Sequence, residues 1–104
     1  MLKNKEKITE IIMKPFAECK CAIGKDWYHI AFNVAFEPDE TYPDYMDVSR
    51  WVSENLNGHE LNIEEAVCML GNHLYIVYAP RELSVTARVD DVVTHFPVEV
   101  TKRY

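Results

Sequence analysis

Glycine occurs only three times in this 104-residue chain and proline five times. That scarcity excludes a collagen-like segment and a Gly/Pro-rich disordered tail. No apolar run approaches the roughly 18 residues that a membrane span requires. The opening stretch MLKNKEKITEIIMKP carries lysines, but its apolar part is too short for a secretory signal. Cysteine is sparse and odd in number, three in all, so a disulfide framework is not expected. The expectation is a cytoplasmic protein with reduced thiols. Positive charge is also short: 11 Lys and Arg against 17 Asp and Glu leave a formal net charge of −6. A basic footprint for duplex DNA is therefore absent, although an oligomer could still assemble a local basic patch. What remains, 48% apolar and 27% charged residues, describes a single small globular domain over 1–104. Its core is small, and oligomerisation would help to stabilise it.

Ile8, Ile11 and Ile12 recur at helical spacing before Pro15, so 1–14 reads as a short N-terminal helix or an arm. From Phe16 to Ile23 the pattern becomes strand-like, and Gly24-Lys25-Asp26 supplies a turn. Ile30, Phe32, Val34 and Phe36 then alternate with smaller or polar residues, the clearest strand in the chain. Residues 44–56 place Tyr45, Val48, Val52 and Leu56 on one helical side, with Gly58 as the stop. Asp47 fits the acid of a capping box there, or a second ligand-facing carboxylate. Asn62 and Glu65 form a second capping box, followed by the stripe Ile63, Ala66, Val67, Leu70, Leu74 and Val77, closed by Pro80. Leu83, Val85, Ala87 and Val89 predict a third strand, and Phe96, Val98 and Val100 a fourth.

The order is strand, strand, helix, helix, strand, strand. Short links within each strand pair imply two antiparallel hairpins. The expected class is α+β: one four-stranded antiparallel sheet with both helices on one face.

This order resembles the tunnelling fold, the superfamily of dihydroneopterin aldolase, pyruvoyl-tetrahydropterin synthase and the QueF and QueF-like proteins that handle 7-cyano-7-deazaguanine. The resemblance implies homo-oligomers closed through sheet edges, with purine- or pterin-like ligands between subunits. Three stretches are similar to the QueF-like branch: Cys21-Ala22-Ile23-Gly24-Lys25-Asp26, Phe36-Glu37-Pro38-Asp39, and Leu61-Asn62-Ile63-Glu64-Glu65-Ala66-Val67. The departures are equally specific. Ala22 stands where the family has proline, and Asp26 lies five residues after Cys21 (seven after Cys19) where the family has seven. Met46-Asp47-Val48-Ser49-Arg50 keeps little of the reductases' basic stretch for NADPH, and Ile63 replaces a histidine. These losses disfavour a nicotinamide-dependent reductase. They fit a QueF-like amidinotransferase acting in queuosine or archaeosine metabolism of tRNA, with no cofactor.

On that resemblance Cys21 is the nucleophile that adds to a nitrile as a thioimide, and Asp26 supplies the proton. Lys25 would favour the thiolate, and Glu64 would hold the base edge as a bidentate acceptor. Cys19, Cys68 and the histidines lack zinc-site spacing, so no metal is expected. His29, His73 and His95 read as surface or interface residues. Trp27, Tyr28 and Trp51 read as core aromatics that could otherwise stack on a base. The expected partner is a purine-like small molecule or a modified base in tRNA, with no membrane. Two alternatives stand beside this. One is a non-catalytic acidic binding or inhibitor protein on the same fold. The other is a pterin-handling enzyme of the dihydroneopterin aldolase type, although no lysine lies between Leu83 and Val89.

Overall fold

The computed structural model describes residues 1–21, 23–24, 26–90 and 95–104. In chain order the elements are β1 (Leu2–Lys3), β2 (Ile11–Met13), β3 (Phe16–Lys20), β4 (Trp27–Glu37), β5 (Thr41–Tyr42), α1 (Tyr45–Asn55), α2 (Ile63–Tyr78), β6 (Glu82–Val89) and β7 (Val98–Arg103). The main sheet is antiparallel in the order β2-β4-β6-β7, with β3 also paired to β4. Two helices pack on it, as the sequence pattern predicts.

β2 and β3 are one strand interrupted by proline. Met13 pairs with Val34 and Phe16 with Ala31, so the register runs across Lys14-Pro15 without a slip. The Phe32 N–H donates to the Pro15 carbonyl at 2.8 Å. The return bond cannot form, because proline has no N–H. Such a loss is tolerated at a sheet edge. Of the two expectations for 1–14, a short helix or an arm, the helix does not form. Ile8 is instead held in a loop, where Asn4 Oδ1 accepts its N–H at 2.9 Å and Asn4 Nδ2 donates to its carbonyl at 3.0 Å. Ile11 and Ile12 pair with Phe36 and Ala35, and Leu2-Lys3 pairs with β5. Tertiary pairing overrides a helical spacing only three isoleucines long.

Alternation sets the core. Ile30, Phe32, Val34 and Phe36 of β4 and Leu83, Val85, Ala87 and Val89 of β6 are buried beneath the helices. Helix α1 starts at the Asp44 cap, whose side chain accepts the Met46 N–H at 2.9 Å. Asp47 does not complete a capping box there; it bridges Arg50 at 3.1 Å. Helix α2 has the Asn62–Glu65 box in both directions. Its stripe is buried as expected down to Leu74. At the C-terminal end Tyr78 takes the inward place and Val77 is exposed. Phe96 is also exposed and precedes β7.

Glu37 and Glu82 oppose each other in register on the face away from the helices. Hydrogen bonding to Glu82 raises the Glu37 carboxyl above its ordinary value, followed by the Glu82 charge, burial and the charge of Glu10, while Arg81 opposes the shift. A carboxyl raised on folding binds protons more tightly in the native state, so stability falls as pH rises through that carboxyl's range. Glu82→Gln should therefore raise Tm at pH 7 and change it much less at pH 3.5, measured by thermal unfolding at both values.

Candidate functional site

The site is built at the end of the β3–β4 hairpin. Lys20 pairs with Trp27, and the Cys21 N–H donates to the Asp26 carbonyl at 2.8 Å, so the same register carries one step past the strands. Opposed residues point to one face, and by alternation Cys21 and Asp26 continue the inward row of Ala17, Cys19, Tyr28 and Ile30. They stand at its open end: Cys21 is half-buried and Asp26 exposed. Within the turn, the Gly24 N–H donates to Cys21 Sγ at 3.4 Å. A Cβ placed on Gly24 would meet Asp26 Oδ2 at 3.5 Å, so the carboxylate lies over the same glycine. Lys25, expected to favour a Cys21 thiolate by its charge, lies outside the described residues, as does Ala22.

The segment 57–61 between the helices brings α2 to this place. It runs along the outer edge of β3: Gly58 N–H donates to the Glu18 carbonyl at 2.8 Å, Lys20 N–H to His59 at 2.9 Å, and Leu61 N–H to Lys20 at 3.1 Å. Lys20 and Glu60 form a parallel bridge. The first turn of α2 therefore begins beside Cys21. Glu64 lies in that turn, exposed, and its carboxylate makes no hydrogen bond or ion pair among the described residues. Glu65 is occupied by the cap.

The other sulfurs separate clearly. Cys19 is fully buried, its Sγ donates to the Leu56 carbonyl at 3.2 Å, and burial, then the neighbouring Glu18 charge, pushes its thiol up to about 11. Burial and the raised thiol both disfavour Cys19 as a thiolate, whereas Cys21 is half-buried at the open end of the hairpin. Cys68 is half-buried farther along α2, 3.8 Å from Lys102 Nζ.

The aromatics divide likewise. Trp27 lies on the opposite sheet face with Lys20 Nζ 5.2 Å from its ring, and Trp51 stacks on His73 in the helix layer at 4.4 Å. His29 is a surface residue with partners: Nδ1 lies 2.7 Å from Glu18, and Phe16 stacks on the ring. Tyr28, read from the sequence as core or as a base-stacking ring, is the aromatic that lies beside this hairpin end. Its hydroxyl donates to the Leu61 carbonyl. Burial, then the charges of Cys19, Cys21, Glu64 and Glu65, pushes its phenol up to about 12. The available signal was a tyrosine at an inward position near a strand end, where a buried hydroxyl needs a partner.

Neither a family model nor a curated protein sequence matches the chain. Solved structures do. The crystal structure of the archaeosine synthase QueF-Like in the apo form superposes with a TM-score of 0.84 at 20% identity, covering 92% of this chain and 93% of that one. The fold is that of the QueF-like synthase. The tunnelling-fold expectation is borne out: α+β, with two helices on an antiparallel sheet. Within this QueF-like fold Cys21 and Asp26 close one hairpin, and Glu64 opens the helix that the 57–61 segment lays alongside. No helix among the described residues is long and apolar enough to cross a membrane.

Proposed function

We propose that the protein takes a 7-deazaguanine-type base and that Cys21 adds to a nitrile on it. The observation that carries this reading is the hairpin end itself: a half-buried thiol receives the Gly24 N–H, with the Asp26 carboxylate over the same turn. The shared fold with an archaeosine synthase supports it. In the proposed step, Asp26 takes the thiol proton and the sulfur adds to the nitrile carbon. The nitrogen then receives the proton from Asp26, giving a neutral thioimide with every atom accounted for. Glu64, exposed and free of side-chain bonds among the described residues, accepts the two N–H groups of the guanine-like edge. Displacement by a nitrogen donor would complete an amidinotransferase cycle on a base carried in tRNA.

The test is incubation with 7-cyano-7-deazaguanine followed by intact-mass and peptide mass spectrometry. One ligand mass on Cys21 is the expected result. No adduct on any cysteine at saturating nitrile overturns the reading and leaves an acidic binding protein as the better account.

The reading includes self-association through sheet edges. Because Phe32 bonds Pro15 and Cys21 bonds Asp26, odd-numbered residues of β2–β3 face β4, and Ile12, Lys14 and Phe16 turn their backbone groups to the open edge. Tyr104 N–H bonds Leu83, so Glu99, Thr101 and Arg103 form the open edge of β7. Beside the first edge, a groove of about 670 Å³ runs between β2 and α1, lined by Ile11, Met13, Pro15, Tyr45, Val48 and Val52. Ile12 and Phe16 are exposed there. Two open edges on one sheet favour head-to-tail closure into a ring. Light scattering on the eluting protein should give a multiple of 12.1 kDa, and a monomer at that mass would overturn the assembly.

A further inference from the structure

We propose that Tyr28 is a positioning residue that fixes Glu64 against the Cys21–Asp26 hairpin through its bond to Leu61. This rests on the functional reading above and deepens it. The last residue but one before α2, Leu61, is pinned on both sides. Its N–H donates to the carbonyl of Lys20, the residue preceding Cys21. Its carbonyl accepts the hydroxyl of Tyr28, two residues after Asp26. The two arms of the hairpin that carry the candidate thiol and acid therefore grip the same residue through its N–H and its carbonyl. Three residues on, within the first turn of α2, lies Glu64.

The grip matters because it supplies the polar bonds that fix the start of α2 beside the hairpin, where apolar burial of Leu61 and Ile63 is non-directional. Leu61 and Ile63 are buried, while Asn62, Glu64 and Glu65 are exposed and the capping box bonds only within the turn itself. The box shapes the turn, and the Leu61 bonds decide where it sits. A base edge held by Glu64 must present its nitrile to Cys21 in one orientation, and displacements of about 1 Å in such arrangements cost rate steeply. The phenol proton stays in place across the working range, since burial and four neighbouring thiol and carboxyl groups all oppose its loss. Tyr28 is thus a donor at every relevant pH and takes no part in the chemistry.

Tyr28→Phe keeps the ring and removes only the donor. Hydrogen exchange should quicken about tenfold at the amides of Leu61, Glu65 and Ala66, which report the opening of this turn, and stay unchanged from Leu74 to Tyr78. The Kd for 7-cyano-7-deazaguanine should rise about tenfold, while alkylation of Cys21 by iodoacetamide keeps its rate. In a Glu64→Gln background the same change should alter Kd by less than about twofold, because the two residues act through one contact. A full further loss in that background, or unchanged exchange at 61–66, overturns the proposal. Quickened exchange in a protein whose parent binds no 7-deazaguanine overturns the proposed function and keeps the Leu61 anchorage. Should Tyr28→Phe lose its fold by circular dichroism, Tyr28→Trp, which retains a ring and a donor, should restore fold and slow exchange together; failure to restore either overturns the proposal.

Discussion

Under the proposed function Cys21→Ala should abolish the nitrile adduct, the largest effect expected from any single change in this chain. The other two sulfurs are not expected to substitute. Cys19 is sealed under Leu56 with its thiol raised to about 11, and Cys68 sits against Lys102 on another part of α2. The remaining site residues then grade themselves by role. Asp26→Asn removes the proton carrier and should slow adduct formation by about a hundredfold or more at saturating nitrile. Glu64→Gln retains shape but loses a charge-assisted contact, about 1.5–3 kcal/mol, read as weaker binding rather than a slower step at saturation. Stopped-flow traces across ligand concentrations separate these outcomes. Equal loss of rate and affinity in both variants would contradict the assignment of distinct roles to Asp26 and Glu64.

Phe36→Ala should cost about 3–5 kcal/mol of folding stability. Phe36 is fully buried at the far end of β4, between Ile11 on one side and Leu83 on the other, with Tyr78 of α2 edge-on at 6.4 Å. It joins the N-terminal strand, the sheet centre and the end of α2 in a single contact. A domain of this size commonly has about 5–15 kcal/mol in total, so the loss takes a large part of it. Urea unfolding followed by circular dichroism should show the midpoint falling sharply with little change in slope. The hairpin carrying Cys21 lies at the opposite end of the same strand, so folded molecules of the variant should retain thiol reactivity. A stability loss below about 1 kcal/mol would mean that the cavity collapses and that this junction is looser than its burial indicates.

Most of the sheet was legible in the sequence, because a residue period of two leaves few alternatives. Ile30 to Phe36 and Leu83 to Val89 carry it without interruption, and all eight inward residues are buried. The second capping box was legible for the same local reason, since Asn62 and Glu65 satisfy each other's backbone groups within one turn. Where local signals were brief, tertiary contacts prevailed. Three isoleucines at helical spacing went into a loop and a strand, and Asp47 turned to Arg50 instead of the cap. Val77 and Tyr78 exchanged places at the end of α2, where Tyr78 meets Phe36 edge-on and Val77 turns to solvent.

The sequence by itself determined the class and the order of the main strands and helices, which follow from periodicity and capping acting over a few neighbours. The candidate groups Cys21, Asp26 and Glu64 rest instead on the resemblance of their segments to the QueF-like family. Only the tertiary structure set Cys19 and Cys21 apart in exposure, because the Leu56 carbonyl that covers Cys19 comes from a part of the chain 37 residues away. It also drew the 57–61 segment along β3, which no local pattern encodes, since a backbone ladder has no sequence signature of its own. And it gave Tyr28 a partner. A hydroxyl's need for an acceptor can be read from its residue type, but which carbonyl meets it is set by packing between elements 33 residues apart.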